Sequence, residues 1–238
     1  MGGIHLLEPL SDIMAKSNRV LMPVLPGFYP GDQRFKYSDG YYADFIESVR
    51  IQNKLEKVIV AGYSMGGRTA LNYSVKYPER VSKIILMDTV GPGSLSSAFN
   101  IPLLNRLLPI FLKAFLRKPE VRRKLALAEF VNPDSQIANK TAELFGKMLE
   151  DKQILQNWVE ILVKIGREKK SWRKELMGLK IKALILWSEK DKTAPVEWAQ
   201  ILSELLTESS VHILENANHA GVIENPDFFA KRIKLFLS

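Results

Sequence analysis

Five short apolar runs recur along the chain: RVLMPVL at 19–25, KVIVAG at 57–62, KIILMD at 83–88, KALILW at 182–187 and SVHILE at 210–215. Four of them are nearly continuous and rich in Val, Ile and Leu, as strands buried on both faces are, and most of the stretches between have the character of crossover helices. The alternation predicts an α/β fold with a mostly parallel sheet flanked by helices. It is interrupted once. Residues 89–181 contain no strand-like run, only amphipathic helical patterns broken by Pro102, Pro109, Pro119 and Pro133. That is too long for a plain connection. The chain therefore divides into a core of residues 1–91 and 179–238 and a helical cap of 92–178, inserted before the penultimate strand. The last helix is announced by ENPDFFAKRIKLFL, where Asn225 is placed to cap, Pro226 suits the first turn, and Phe229, Ile233 and Phe236 share one face.

The run at 57–62 leads straight into GYSMG at 62–66, a G-x-S-x-G pattern set between a predicted strand and a helix that Pro78 ends. In that setting a sharp turn lifts the Ser64 hydroxyl clear of the sheet and is expected to leave no room for side chains at Gly62 and Gly66. The helix start also directs N–H groups and partial positive charge at any oxyanion formed beside the serine. A serine hydroxyl needs a base to become a nucleophile. Of the three histidines, His212 lies inside the strand SVHIL and reads as a packed or edge residue, and His5 opens a predicted helix near the N-terminus. His219 sits in the loop NANHAG after the last strand, at the carboxyl edge where parallel sheets bind ligands, and is the candidate base. Asp191 in LWSEKDKTAP, just past the fourth run, occupies the same edge and is the candidate acid that fixes the imidazole tautomer. Asp88, ending the third run, is the alternative.

Composition narrows the rest. The 238 residues suit one globular domain with an inserted subdomain, and apolar and charged contents of 46% and 25% are those of an ordinary globular protein. With no cysteine there is no disulfide framework, thiol nucleophile or thiolate metal site. The apolar stretch IPLLNRLLPIFLKAFL is broken by Asn105, Arg106, Pro109 and Lys113, so no membrane span is expected. The N-terminus lacks a basic segment followed by an apolar run, which makes the cytoplasm the expected compartment. Of the net charge of +8, +7 falls in residues 92–178, with 16 basic and 9 acidic side chains. The segment at 105–118 combines that charge with an apolar surface, which admits weak contact with an anionic membrane or attraction of acidic substrates. The plainer reading is an amphipathic cap helix turned toward a pocket. No motif supports nucleic-acid binding, and oligomeric state is not legible.

The order Ser64, Asp191, His219, each following a strand, resembles the α/β-hydrolase superfamily over nearly the whole chain. LPGF at 25–28, YPERVSKIILMD at 77–88 and NHAGVIENPDFF at 218–229 are similar to further stretches of that family. The resemblance implies a serine hydrolase with a pocket between sheet and cap, needing no metal or organic cofactor. The substrate expected is a small ester with an apolar acyl or aromatic group, contacted by Tyr63, Leu107, Phe111 and Phe115. A carbon–carbon bond hydrolase, a thioesterase, an acyltransferase or a non-catalytic binding member are the alternatives. Oxyanion donors are expected from the N–H of Met65 and from the loop around Gly3. Gly2 and Gly3 resemble the tail of a loop that follows the family's third strand. The expectation is therefore an N-terminally shortened chain, Met1 being an internal methionine. Without that strand, either buried backbone groups go unpaired or the runs at 19–25 and 57–62 close together.

Overall fold

The computed structural model describes residues 6–28, 31, 37–90, 102–167 and 173–238. Four parallel strands form one sheet in the order β1 (Val58–Tyr63), β2 (Val81–Met87), β3 (Lys182–Ser188) and β4 (Ser209–Leu214). They coincide with four of the five apolar runs to within two residues at either end. The central pair shows why those runs are continuous. Ile84, Leu86, Ile185 and Trp187 pack on one side of the sheet with Leu71, Tyr73 and Leu202, while Ile85, Met87, Leu184 and Leu186 pack on the other with Leu10, Met14, Phe229 and Ile233. Period-two alternation thus fills two apolar cores at once, and truncating one such side chain to alanine costs about 2–5 kcal/mol.

The helices that cover these faces are α1 (Glu8–Ala15), α2 (Asp39–Gln52), α3 (Met65–Lys76), α9 (Glu197–Leu205) and α11 (Pro226–Leu237), with the single turn α10 (Gly221–Glu224) leading into the last. Pro226 opens α11 and Phe229 and Ile233 are buried, as the sequence pattern predicts, but the Asn225 side chain makes no capping hydrogen bond. Between β2 and β3 the regular elements among the described residues are all helices: α4 (Pro102–Leu116), α5 (Pro119–Leu127), α6 (Gln136–Met148), α7 (Lys152–Arg167) and the short α8 (Arg173–Met177). Leu116, Phe145, Leu149, Ile154 and Val159 give most of these helices a core of their own.

The run at 19–25 forms no strand. A strand is stabilised by its ladder partners, and β1, the edge of the described sheet, does not receive this segment; Pro23 also lacks the N–H that a ladder would need. The two runs have not closed together. A cavity of about 220 Å³ is lined both by Leu21, Val24 and Leu25 of this segment and by Val60, Ala61 and Gly62 of β1. No described helix is long and apolar enough to cross a membrane.

Candidate active site

The turn after β1 is held from several directions. Ser64 N–H donates to the Met87 carbonyl at 2.9 Å, and the Ser64 carbonyl accepts from Gly67, Arg68 and Val90 at 3.1, 3.3 and 3.1 Å. These bonds fix Ser64 at φ 53° and ψ −118°, a left-handed backbone that a serine adopts only under constraint. The glycine requirement is real but differently placed from the sequence expectation. A Cβ on Gly62 would stand 2.1 Å from the Gly66 carbonyl oxygen, and one on Gly67 would stand 2.1 Å from Thr89 Oγ1, whereas one on Gly66 would meet nothing within 4 Å. Gly62 is required because the backbone of Gly66 runs against it, and Gly67 because the helix approaches Thr89.

Three side chains from three loops converge there. His219 Nε2 lies 2.9 Å from Ser64 Oγ, and His219 Nδ1 lies 2.6 Å from Asp191 Oδ2. The carboxylate accepts the Nδ1 proton, which leaves Nε2 as an acceptor for the serine hydroxyl. All three side chains are buried. The other Asp191 oxygen accepts from the N–H groups of Thr193 and Ala194 at 2.8 and 2.7 Å, so the acid is oriented by its own turn. Burial alone pulls the imidazole pKa down. The hydrogen bond and charge of Asp191, joined by the charges of Glu129 and Asp88, outweigh it and raise the pKa above 6.5.

Asp88 serves elsewhere. Fully buried, it accepts from Ser188 N–H at 2.6 Å and from Ser188 Oγ at 3.2 Å, tying the end of β2 to the end of β3. Burial, with the Asp191 charge adding and the His219 charge opposing, pushes its pKa up to about 7. His212 is part of β4, and His5 lies outside the described residues.

Met65 opens α3, so its N–H has no acceptor within the helix and lies beside Ser64 on the wall of the 220 Å³ cavity. Gly3, expected as the second donor, lies outside the described residues. Tyr63 lines the same cavity, but its hydroxyl donates to the His219 carbonyl at 2.8 Å and its ring stacks obliquely on the imidazole, centroids 5.1 Å apart. The structure does not bring Leu107, Phe111 and Phe115 to the described wall. They lie on an exposed face of α4, Phe111 with 62% of its surface exposed, while Leu116 and the partly buried Leu112 pack into the core of the insertion. The wall near Ser64 comes instead from Leu6, Leu7, Met22, Val24, Leu25 and Phe28. Among the described residues no group of His, Asp or Glu is arranged to hold a metal ion.

Sequence reasoning also missed a clasp between the helical insertion and the loops of the site. The Glu129 carboxylate accepts from Thr193 Oγ1 at 2.9 Å, its carbonyl accepts from Ala220 N–H at 2.9 Å, and the Ala128 carbonyl accepts from Asn218 Nδ2 at 2.8 Å. Glu224 reaches back to the N–H groups of Val131 and Asn132 at 3.1 and 3.2 Å. No local pattern signals these pairs, since they join residues 64 to 93 positions apart.

A strand, a strained serine, a helix, and an acid and a histidine from later strand ends define one class of protein. The family model for the alpha/beta hydrolase fold matches residues 8–226, and the chain belongs to that family. Over 245 aligned residues it is 28% identical to a 2-hydroxy-6-oxononadienedioate/2-hydroxy-6-oxononatrienedioate hydrolase of Escherichia coli strain K12, covering 100% of this chain and 82% of the relative. Two solved structures share the fold. A meta-cleavage product hydrolase from Pseudomonas fluorescens IP01 superposes with a TM-score of 0.82 at 20% identity, over 98% of this chain and 84% of the other. A thermophilic esterase from Thermogutta terrifontis gives 0.79 at 18% identity, over 99% and 85%.

Proposed function

We propose that the protein is a serine hydrolase that cleaves carboxylic esters of small apolar acids through an acyl-enzyme on Ser64. The observation that carries this reading is the continuous chain from Ser64 Oγ to His219 Nε2 at 2.9 Å and from His219 Nδ1 to Asp191 at 2.6 Å. His219 takes the Ser64 proton as Oγ attacks the carbonyl carbon. The Met65 N–H, with a second donor near Gly3, stabilises the oxyanion of the tetrahedral intermediate. Collapse expels the alcohol, which leaves with the proton from His219. A water deprotonated by His219 then attacks the acyl carbonyl, and the acid departs as Ser64 recovers its proton. The apolar wall formed by Leu6, Leu7, Met22 and Phe28 suits an acyl group without charge.

A second reading is favoured by the similarity to the E. coli hydrolase, which extends over 100% of this chain. The bond broken is then carbon–carbon beside a ketone of a 2-hydroxy-6-oxo-dienoic acid. The same serine attacks, and His219 delivers its proton to the departing carbon. One experiment weighs both: turnover of a chain-length series of nitrophenyl esters beside turnover of 2-hydroxy-6-oxo-dienoates, with Ser64→Ala as control. Preference for short apolar esters supports the first reading, and preference for the dienoates replaces it with the second. Turnover that survives Ser64→Ala overturns both. Failure of Ser64 to react with a fluorophosphonate in folded protein leaves only a binding role.

A further inference from the structure

The helical insertion carries a second concavity, a groove of about 690 Å³ between α5 and α6 that shares no lining residue with the cavity at Ser64. Its wall includes Arg122, Arg123, Lys140 and Lys147, opposed by Glu143 and Glu150. Not all of this charge is free. Lys147 is paired with Glu143 at 2.6 Å, and a guanidinium N–H of Arg123 donates to Asn139 Oδ1, which fixes Arg123 at the rim.

Arg122 differs from these. It is the most buried cation of the groove, only 4% exposed, and its Nε lies out of contact with solvent with no hydrogen-bond partner. No described carboxylate pairs with it, although buried guanidinium groups are ordinarily satisfied by one. Lys140 stands exposed on the same wall. A planar guanidinium, desolvated at Nε and sharing the groove wall with Arg123 and Lys140, matches a tetrahedral oxyanion with more than one negative charge. Space for it exists at Gly146, where an added Cβ would meet nothing within 4 Å.

We infer that the groove between α5 and α6 is a binding site for a phosphate-class oxyanion, either a free phosphate ester or a phosphate headgroup, anchored by Arg122 with Arg123 and Lys140 at the rim. The site is separate from the serine, so it stands or falls independently of the hydrolase reading.

The test is calorimetric titration of the whole protein at low ionic strength with inorganic phosphate, then with glycerol 3-phosphate, then with phosphatidylcholine vesicles containing phosphatidic acid. Saturable binding of phosphate is expected, weakened about tenfold or more in Arg122→Gln, less in Lys140→Gln, and reduced by added salt. Tighter binding of glycerol 3-phosphate identifies a soluble ester, and tighter binding of the vesicles a headgroup. Should Arg122→Gln fail to fold, Gly146→Gln decides: it leaves the arginine in place, fills the groove from an open position and is expected to abolish the titration. Absence of saturable binding with all three probes overturns the inference, as does binding indifferent to both Arg122→Gln and Gly146→Gln. In either case a trapped water is left as the partner of Arg122 Nε.

Discussion

The two sides of the candidate site are built to different standards. On the β3–β4 side, Asp191 is held by two N–H groups of its own turn, Lys190 N–H donates to the Ala217 carbonyl at 2.7 Å, and Glu129 ties Thr193 to the helical insertion. On the β1 side, the described sheet ends at β1, which borders a cavity and, among the described residues, a segment without ladder bonds. Base and acid are thus oriented by a dense polar network, while the described wall of the cavity beside Ser64 is largely apolar. Such a division suits a hydrolase. Proton transfer depends on sub-ångström geometry, whereas an acyl group needs only a shaped, dry wall.

The sharpest way to break the comparison is to cut the network on the well-tied side. Ser64→Ala and Asp191→Asn are each expected to lower kcat for ester hydrolysis by roughly 10⁴-fold or more, with little change in the circular dichroism spectrum. The acid limb of the wild-type pH–rate profile should lie above 6.5, because the Asp191 carboxylate raises the His219 pKa and the imidazole must be neutral to accept the serine proton. A limb below 6.5 would deny Asp191 its electrostatic role.

The elbow between the two sides supplies the next largest effect. Gly62→Ala drives a Cβ into the backbone of Gly66 and should cost about 3 kcal/mol or more in denaturant unfolding, since neither segment can yield without moving Ser64. Gly66→Ala should cost nothing and can add up to about 1 kcal/mol of helix stability. Equal destabilisation by the two would mean the turn is crowded as its sequence suggests rather than as the structure has it.

That contrast also marks what was legible in the chain. Strands between two apolar cores announce themselves, because burial on both faces demands continuous apolar residues; hence 83–88 and 182–187 were readable, and 57–62 reads alike although Ile59 of its strand is exposed. The run at 19–25 has the same composition yet forms no strand, since strand formation requires a neighbour and composition does not name one. Ser64, Asp191 and His219 were found as residues following strands, a property of the local sequence. Glu129 and Glu224 were not, because their partners are close only in three dimensions. The stripe of Leu107, Phe111 and Phe115 was visible as a helical face, but periodicity says that a face exists and not what it meets.

Asp88 offers a test of smaller size at the junction of β2 and β3. Burial is expected to keep its carboxyl protonated up to about pH 7 when folded, against about 3.8 when unfolded. As pH rises between these values the unfolded chain ionises first, so stability contributed by the protonated form is present below 3.8 and lost as pH approaches 7. The loss is on the order of 4 kcal/mol once the folded group too has ionised, above pH 7. Asp88→Asn retains an acceptor for Ser188 N–H and should remove this slope, so that the variant gains on wild type as pH rises. Parallel stability curves across that range would show that Asp88 stays ionised in the folded protein. Glu129→Gln should act more weakly, lowering kcat by less than about tenfold and moving the acid limb down, since one of the charges that raise the His219 pKa is gone.

The smallest effect belongs on the open side. Ile59 lies on β1 with 44% of its surface exposed, although a β-branched side chain within a three-layer sheet is ordinarily covered. Replacing it with threonine keeps the branching and removes little buried apolar area, so the unfolding free energy should change by no more than about 0.5 kcal/mol. The matching substitution inside the sheet, Ile84→Thr, introduces a hydroxyl at a fully buried position and should cost about 2–3 kcal/mol. The ratio of the two measures how far β1 behaves as an edge. A cost at Ile59 approaching that at Ile84 would require something to cover β1 in solution, and the cavity beside it would then be occupied rather than open to substrate.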